Sequence, residues 1–324
     1  MSLSATRAPS PHAPPPQLPP RRLRSKDKFS RFDLKFSPYV FIAPFFIVFG
    51  IFGLYPMLRT FWMSLHNWNL INPTRRSFVG LDNYAALLDD KWFWNATFNT
   101  MGLFLVATVP QLLFALVIAN MLNRGLRART FFRVSILVPN VTSVAAVGIV
   151  FATLFQRDFG VVNWVLSLVD IDAIDWRNQR WGSWTVLATM VDWRWTGYNA
   201  LIFLAGMQAI PKDLYESAAI DGASRSRQFW TITLPMLRPT LIFVVIVSTI
   251  GGLQLFTEPL ILGQGTPDGG GILHPYQTLA LLMFENGLVQ YSKAGYGAAI
   301  GGMMFLMIMI FSLFNFLLIR RSVR

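Results

Sequence analysis

The sequence predicts an all-α integral membrane protein of six transmembrane helices, with both termini and one long polar loop in the cytoplasm. Three observations carry that reading. Hydrophobic residues make up 53% of the chain and charged residues only 14%, where an average soluble domain carries about 25% charged residues. One soluble core does not bury that much apolar surface, so lipid serves as solvent for the excess. Six apolar runs reach the roughly 20 residues that a helix needs to cross about 30 Å of hydrocarbon. Finally, Lys and Arg gather in the segments that six spans place on one side.

Residues 1–36 differ from the rest. Pro9, Pro11, Pro14, Pro15, Pro16, Pro19 and Pro20 precede a basic run from Arg21 to Lys35. Such a composition cannot form a core, and a disordered cytoplasmic tail is expected, with a PxxP-type ligand as its functional alternative. Residues 37–324 then form the six-helix domain. The run 39–65 is too long for the apolar part of a signal peptide, and no small-residue cleavage site follows it, so it reads as an uncleaved first span. The other runs are 99–123, 131–155, 184–208, 240–263 and 298–319. None alternates as a barrel strand does, which leaves helices as the way to satisfy the backbone in lipid.

Charge sets the orientation. The tail, the segment 124–133, the segment 212–238 and the end of the chain hold 19 of the 28 Lys and Arg residues. The opposite side holds the remainder and most of the acids, including Asp158, Asp170, Asp172, Asp175, Asp268 and Glu285. The positive-inside rule makes the basic side cytoplasmic. A net charge of +12 is thereby a topology signal, and nucleic acid is not needed to explain it. With no cysteine, disulfides, thiol catalysis and Cys-ligated metals are excluded. In the outer segments, Asp82 is expected to cap a short helix. Trp92, Phe93, Trp94, Trp164, Trp176 and Trp181 read as an interfacial aromatic belt, and 263–271 as a Gly-rich turn.

The segment 211–235 is too polar for lipid and too long for a turn. Pro211 and Asp213 start a helix, with Asp213 as cap and Glu216 closing a capping box. Gly222 breaks it, and a second helix runs from Ser224 until Pro235 stops it. Ala218, Ala219, Gly222 and Ala223 form a small-residue surface, ringed by charged and aromatic side chains. On physics alone this is either an element that transmits rigid-body movement from a cytosolic partner or an ordinary interfacial helix.

The stretch Glu216-Ser217-Ala218-Ala219-Ile220-Asp221-Gly222-Ala223, followed by Ile232-Thr233-Leu234-Pro235, resembles the EAA loop of binding-protein-dependent ABC importers. Ser217 replaces the first Ala of that pattern, one small residue for another. The similarity extends over about residues 38–320. It includes Phe78-Val79-Gly80-Leu81-Asp82-Asn83-Tyr84 and Leu137-Val138-Pro139-Asn140, and looks like the sugar-permease branch that contains the maltose and glycerol-3-phosphate importers. Lys293-Ala294-Gly295-Tyr296-Gly297-Ala298-Ala299 and Gln254-Leu255-Phe256 resemble permeases for cellobiose and related β-glucosides. The resemblance implies a permease subunit of a bacterial cytoplasmic (inner) membrane, paired with a second permease subunit, two copies of a cytosolic ATPase and an extracytoplasmic sugar-binding protein. ATP and Mg would reside on the ATPase, and this chain would hold no cofactor and no metal. Glu216, Ser217, Ala218, Ala219, Asp221 and Gly222 would dock on the ATPase, with Leu234 and Pro235 ending the loop.

An uncharged sugar needs hydrogen-bonding groups and aromatic faces at membrane depth, where polar groups are costly. The candidates are Asn140, Thr142 and Ser143 in the third run, Trp193, Tyr198 and Asn199 in the fourth, and Gln254, Phe256, Thr257 and Glu258 in the fifth. Helix–helix packing is the competing explanation for each. Gln254 and Glu258, one turn apart, would share a face, and Gly251-Gly252 and Pro259 would loosen that helix. Other function classes fit less well. His12, His66 and His274 lie in the tail and outer loops and form no HExxH pair, and no GxxxxGK[ST] is present, so this chain is not itself an ATPase. An ion- or proton-coupled secondary transporter would show mid-span charges and an inverted repeat, and the runs show few of the former and none of the latter.

Overall fold

The computed structural model describes residues 26–72, 74, 76–124, 127–269, 273–290 and 293–321. The Pro-rich part of the tail, 1–25, therefore lies outside the described residues, as do Gly270, Gly271 and the last three residues. Two compact units divide at Leu58. The first contains helix α1 (Lys26–Phe49), which already includes the last basic residues of the expected tail, then a π-helical turn (Gly50–Leu54) and the start of α2 (Tyr55–Ser64).

The second unit begins at Arg59 and opens with a two-residue antiparallel pair, β1 (His66–Asn67) and β2 (Ser77–Phe78), with His66 opposite Phe78. The helices follow: α3 (Asp82–Leu88), α4 (Lys91–Leu122), α5 (Arg129–Val141), α6 (Val144–Leu154), α7 (Val161–Ser167) and α8 (Arg180–Gln208). Then come α9 (Lys212–Ile220), α10 (Arg225–Gln228), α11 (Leu234–Met236), α12 (Arg238–Leu253), α13 (Thr257–Leu262), α14 (Leu279–Phe284) and α15 (Ala294–Arg321). Among the described residues, the only strands are that short pair, so the membrane segments are helical and not a barrel.

Four helical stretches among the described residues are long and apolar enough to cross a membrane: Phe36–Ser64, Lys91–Leu122, Arg238–Leu262 and Ala294–Leu317. Helix covers each of the six expected runs, but those four stretches answer only to the first, second, fifth and sixth. The fourth run, α8, is long enough yet not apolar enough to join them, so four spans, or five with a bent pair, stand among the described residues against the expected six. Two runs are not straight. The third is α5 and α6 joined at an angle of 88°. Thr142 and Ser143 adopt extended backbone there, and the Thr142 hydroxyl donates to the Val138 carbonyl at 2.9 Å. The fifth run breaks at Gln254–Phe256, between α12 and α13.

Helices α4 and α8 form the axis of the second unit. Leu103, Val186, Leu187 and Met190 pack at one end, while Ala115, Ala119, Ala200, Phe203 and Leu204 pack at the other. The alanines let the backbones approach, the usual device where lipid supplies no hydrophobic drive. Gly197 does the same for α5, because a Cβ there would lie 1.7 Å from the Ile136 carbonyl oxygen.

Three details of the outer segments differ from expectation. Asp82 is the first residue of α3, and Leu81 occupies the cap. Trp176 is not part of an interfacial belt: it is buried, and its indole N–H donates to Asn163 Oδ1 at 2.8 Å. Asn163 also donates to the carbonyls of Arg157 and Ile174, both at 2.9 Å, and so closes the 157–176 segment into a small folded unit. Phe93 is not part of an interfacial belt either: it is 4% exposed and packs with Leu87, Leu279 and Leu282. Trp164 and Trp181 remain exposed, as a belt requires.

Candidate coupling loop and translocation cavity

The segment 211–235 folds as helix, glycine, helix, with its ends built differently from the expected capping. Pro211, with extended ψ of 134°, occupies the N-cap of α9, and no side chain caps that helix. Asp213 thus stands in the first turn, where its charge still favours the helix N-terminus. At the other end Gly222 adopts φ +76°. The Ala223 N–H reaches the Ala218 carbonyl at 2.8 Å and the Gly222 N–H reaches that of Ala219 at 3.1 Å, which is the Schellman closure. A Cβ on Gly222 would meet nothing within 4 Å, so the left-handed backbone, not crowding, demands glycine.

Ser224 then caps α10 by accepting from the Arg227 N–H, and Gln228 Nε2 donates to the Ala223 carbonyl at 3.1 Å. A π-helical turn (Phe229–Thr233) leads into α11 and α12. Pro235 does not stop the helix. It lies in the first turn of α11, where its missing N–H is harmless, and the chain turns only at Leu237 before entering α12. The Tyr215 and Thr233 hydroxyls, 2.9 Å apart, fasten the two arms together. Glu216, Ser217, Ala219, Asp221 and Gly222 are exposed, while Ala218, Leu234 and Pro235 are half-buried. Sequence reasoning missed Ile220, a large apolar side chain left 87% exposed at the tip of α9.

The second site is a cavity of about 260 Å³ between α4, α8, α12 and α13. Tyr198, Asn199, Gln254, Phe256, Thr257 and Glu258 line it, as do Gln111, Trp195 and Ser248, which the sequence reasoning did not select. Gln111 carried a signal, since an amide inside an apolar run needs a reason; it is 3% exposed. Asn199 Nδ2 donates to Ser248 Oγ at 3.3 Å. Trp193 and Asn140 are not brought to the cavity. The Trp193 ring lies 5.9 Å from that of Phe151, and Asn140 sits half-buried on α5 before the bend with Thr142 and Ser143.

The break in the fifth run shapes this cavity. Gln254 and Glu258 do not share a helical face, because the helix unwinds between them; Gln254 is exposed and Glu258 is 6% exposed. Gly251-Gly252 weaken the end of α12, and Pro259 has no N–H for the carbonyl of Leu255. That carbonyl instead accepts from the Thr278 hydroxyl at 2.8 Å, and Thr278 also caps α14. Phe256 meets Phe284 edge to face at 5.3 Å. With Gln254 it forms a wall between this cavity and an apolar one of about 560 Å³ bounded by Met63, Met283 and Ala298.

Charge does enter the bundle. Arg194 Nη1 donates to Glu258 Oε1 at 3.1 Å, with the two side chains only 13% and 8% exposed. The expectation of few mid-span charges is corrected to that extent, and the pair is mutually neutral. Asp192 Oδ1 is buried without a partner among the described residues. A further cavity of about 580 Å³ is lined by Arg157, Asp175, Trp176 and Arg177. Burial there pushes the Asp175 carboxyl up, but hydrogen bonds from Asn178 and the Arg157 charge outweigh it and hold the group below the usual carboxylate value.

Residues 111–324 match the family described as binding-protein-dependent transport system inner membrane component. The chain is 36% identical over 283 residues to the arabinooligosaccharides transport system permease protein of Bacillus subtilis, covering 87% of this chain and 88% of that one. It is 34% identical to the lactose transport system permease protein of Rhizobium radiobacter, over 86% and 92% of the two chains. Among solved structures, a bacterial alginate ABC transporter in complex with an alginate pentasaccharide-bound periplasmic protein matches with a TM-score of 0.75 at 22% identity, covering 92% of this chain and 98% of that one.

Proposed function

The chain belongs to the binding-protein-dependent transport system inner membrane components, and from that membership we propose that it is the permease subunit of an ATP-binding-cassette sugar importer. Its cargo is a mono- or oligosaccharide, of the cello-oligosaccharide or related glucoside class, delivered by an extracytoplasmic binding protein. Six spans cross a bacterial inner membrane with both termini cytoplasmic. A second, similar permease subunit completes the pathway, and two copies of a cytosolic ATPase carry the ATP and Mg.

One observation carries this reading. The exposed helix–Gly–helix 211–235 runs without interruption by a free loop into α12, and α12 ends at the cavity. Movement of the small-residue face around Ala218 and Ala219 by an ATPase is therefore delivered directly to the broken segment Gln254–Phe256. In the cavity, amide and hydroxyl groups of Gln111, Tyr198, Asn199 and Gln254 match sugar hydroxyls, while Trp195 and Phe256 offer ring faces. The volume suits one small ligand or one unit of a longer chain.

The absence of cysteine makes the test simple. A single Ser217→Cys, in the complete transporter, is expected to crosslink to the ATPase with a short bifunctional reagent, and ATP turnover is expected to change the yield. A Cys in place of exposed Trp164 is the control. No crosslink from Ser217→Cys would overturn the docking assignment.

A further inference from the structure

Away from the loop and the cavity, two arginines converge on one pair of tryptophans. Arg59 lies near the end of the apolar helix Phe36–Ser64, and Arg76 lies just before β2. The Arg59 guanidinium carbon is 5.0 Å from the centre of the Trp62 ring and 5.1 Å from that of Trp68. The Arg76 carbon is 5.5 Å and 5.6 Å from the same two rings. The rings themselves meet edge to face at 5.3 Å. Both arginines are exposed, and neither makes a hydrogen bond or ion pair with a described residue. Ring faces offset part of the cost of placing two like charges together, but they cannot neutralise them.

We propose that Arg59 and Arg76 bind the phosphate of an anionic phospholipid headgroup. Position is the first argument. Arg59 is within the last turns of a stretch apolar enough to span the membrane, and Trp62 beside it is the residue type that settles at the headgroup level. Chemistry is the second. A guanidinium presents parallel N–H groups that match phosphate oxygens, and here the indole faces hold both guanidinium groups in place. Charge is the third: a local excess of two positive charges favours a headgroup with net negative charge over a zwitterionic one. Free phosphate shares this chemistry but has no acyl chain to cover Phe61, Ile71 and Phe78, which stand 59%, 75% and 71% exposed nearby in the sequence.

The test is native mass spectrometry on the full-length chain purified from membranes, titrated with phosphatidylglycerol, phosphatidylcholine and inorganic phosphate. Each of Arg59→Gln and Arg76→Gln is expected to weaken phosphatidylglycerol binding about fivefold, and the double variant about 30-fold. Phosphatidylcholine is expected to bind more weakly than phosphatidylglycerol, and excess inorganic phosphate is expected not to displace the lipid. Unchanged phosphatidylglycerol affinity in the double variant overturns the site. Displacement by inorganic phosphate overturns the lipid as its occupant. If the double variant does not fold, the single variants decide, and no loss in either overturns the proposal.

Discussion

The chain interrupts a helix twice at places that matter, at Gly222 in water and at Gln254–Phe256 inside the bundle, and it does so by different means. At Gly222 the break is local. One glycine with φ +76° closes α9 on its own carbonyls, and solvent serves whatever remains unpaired. At Gln254–Phe256, inside the bundle, the carbonyl that Pro259 cannot pair is taken by Thr278, 23 residues further along the chain. A break in water needs one residue, and a break in the bundle needs a partner from another element. The first leaves an exposed turn at the surface, while the second is held in shape around a cavity.

Substitutions at each break sharpen this contrast. Gly222→Leu is expected to have the largest effect. It forces a branched side chain into a left-handed conformation that costs about 1–2 kcal/mol, and it adds bulk to the proposed docking face. Uptake should be abolished in whole cells while membrane insertion, followed by fractionation, stays normal. Normal coupling of ATP hydrolysis to uptake in that variant would refute the loop assignment.

Inside the bundle, Arg194→Ala or Glu258→Ala alone should lower stability by about 3–5 kcal/mol, because each strands a buried charge. The double variant should lose less than the sum, which a thermal-unfolding double-mutant cycle would detect; additive losses would show that the pair is not coupled. Next, Thr278→Val leaves the Leu255 carbonyl unpaired and should cost about 1–3 kcal/mol, with Thr278→Ser restoring most of it. Equal stability of Thr278→Val and Thr278→Ser would remove the hydroxyl from the account. Smallest is Gln254→Ala, expected to raise the KM for sugar uptake about fivefold, the worth of one hydrogen bond. Unchanged uptake kinetics would return Gln254 to a packing role.

The two breaks also differ in how far they were legible. Gly222 was readable because its effect is intrinsic to the residue and its neighbours. The cap of α9 was not, since Pro211 starts that helix earlier than Asp213. Gly251-Gly252 and Pro259 signalled weakness in the fifth run, and the break falls between them. Its consequence was not visible, however: it removed the shared face of Gln254 and Glu258 yet kept both on the cavity. Trp195 and Trp193 illustrate the limit. They are two residues apart on one helix and alike in chemistry, and only the packing of α8 turns the first to the cavity and the second to Phe151.

Composition, run length and the placement of Lys and Arg are properties of single residues and their nearest neighbours, so the sequence alone determined a helical membrane protein with a polar loop broken at a glycine. Which carbonyl Thr278 satisfies, that Arg194 neutralises Glu258, and that Arg59 and Arg76 meet over the same two indoles depend on segments brought together across tens of residues. In a bundle where lipid supplies no drive for helices to associate, close packing and the pairing of stray polar groups choose the arrangement, and those are decided only when the helices meet.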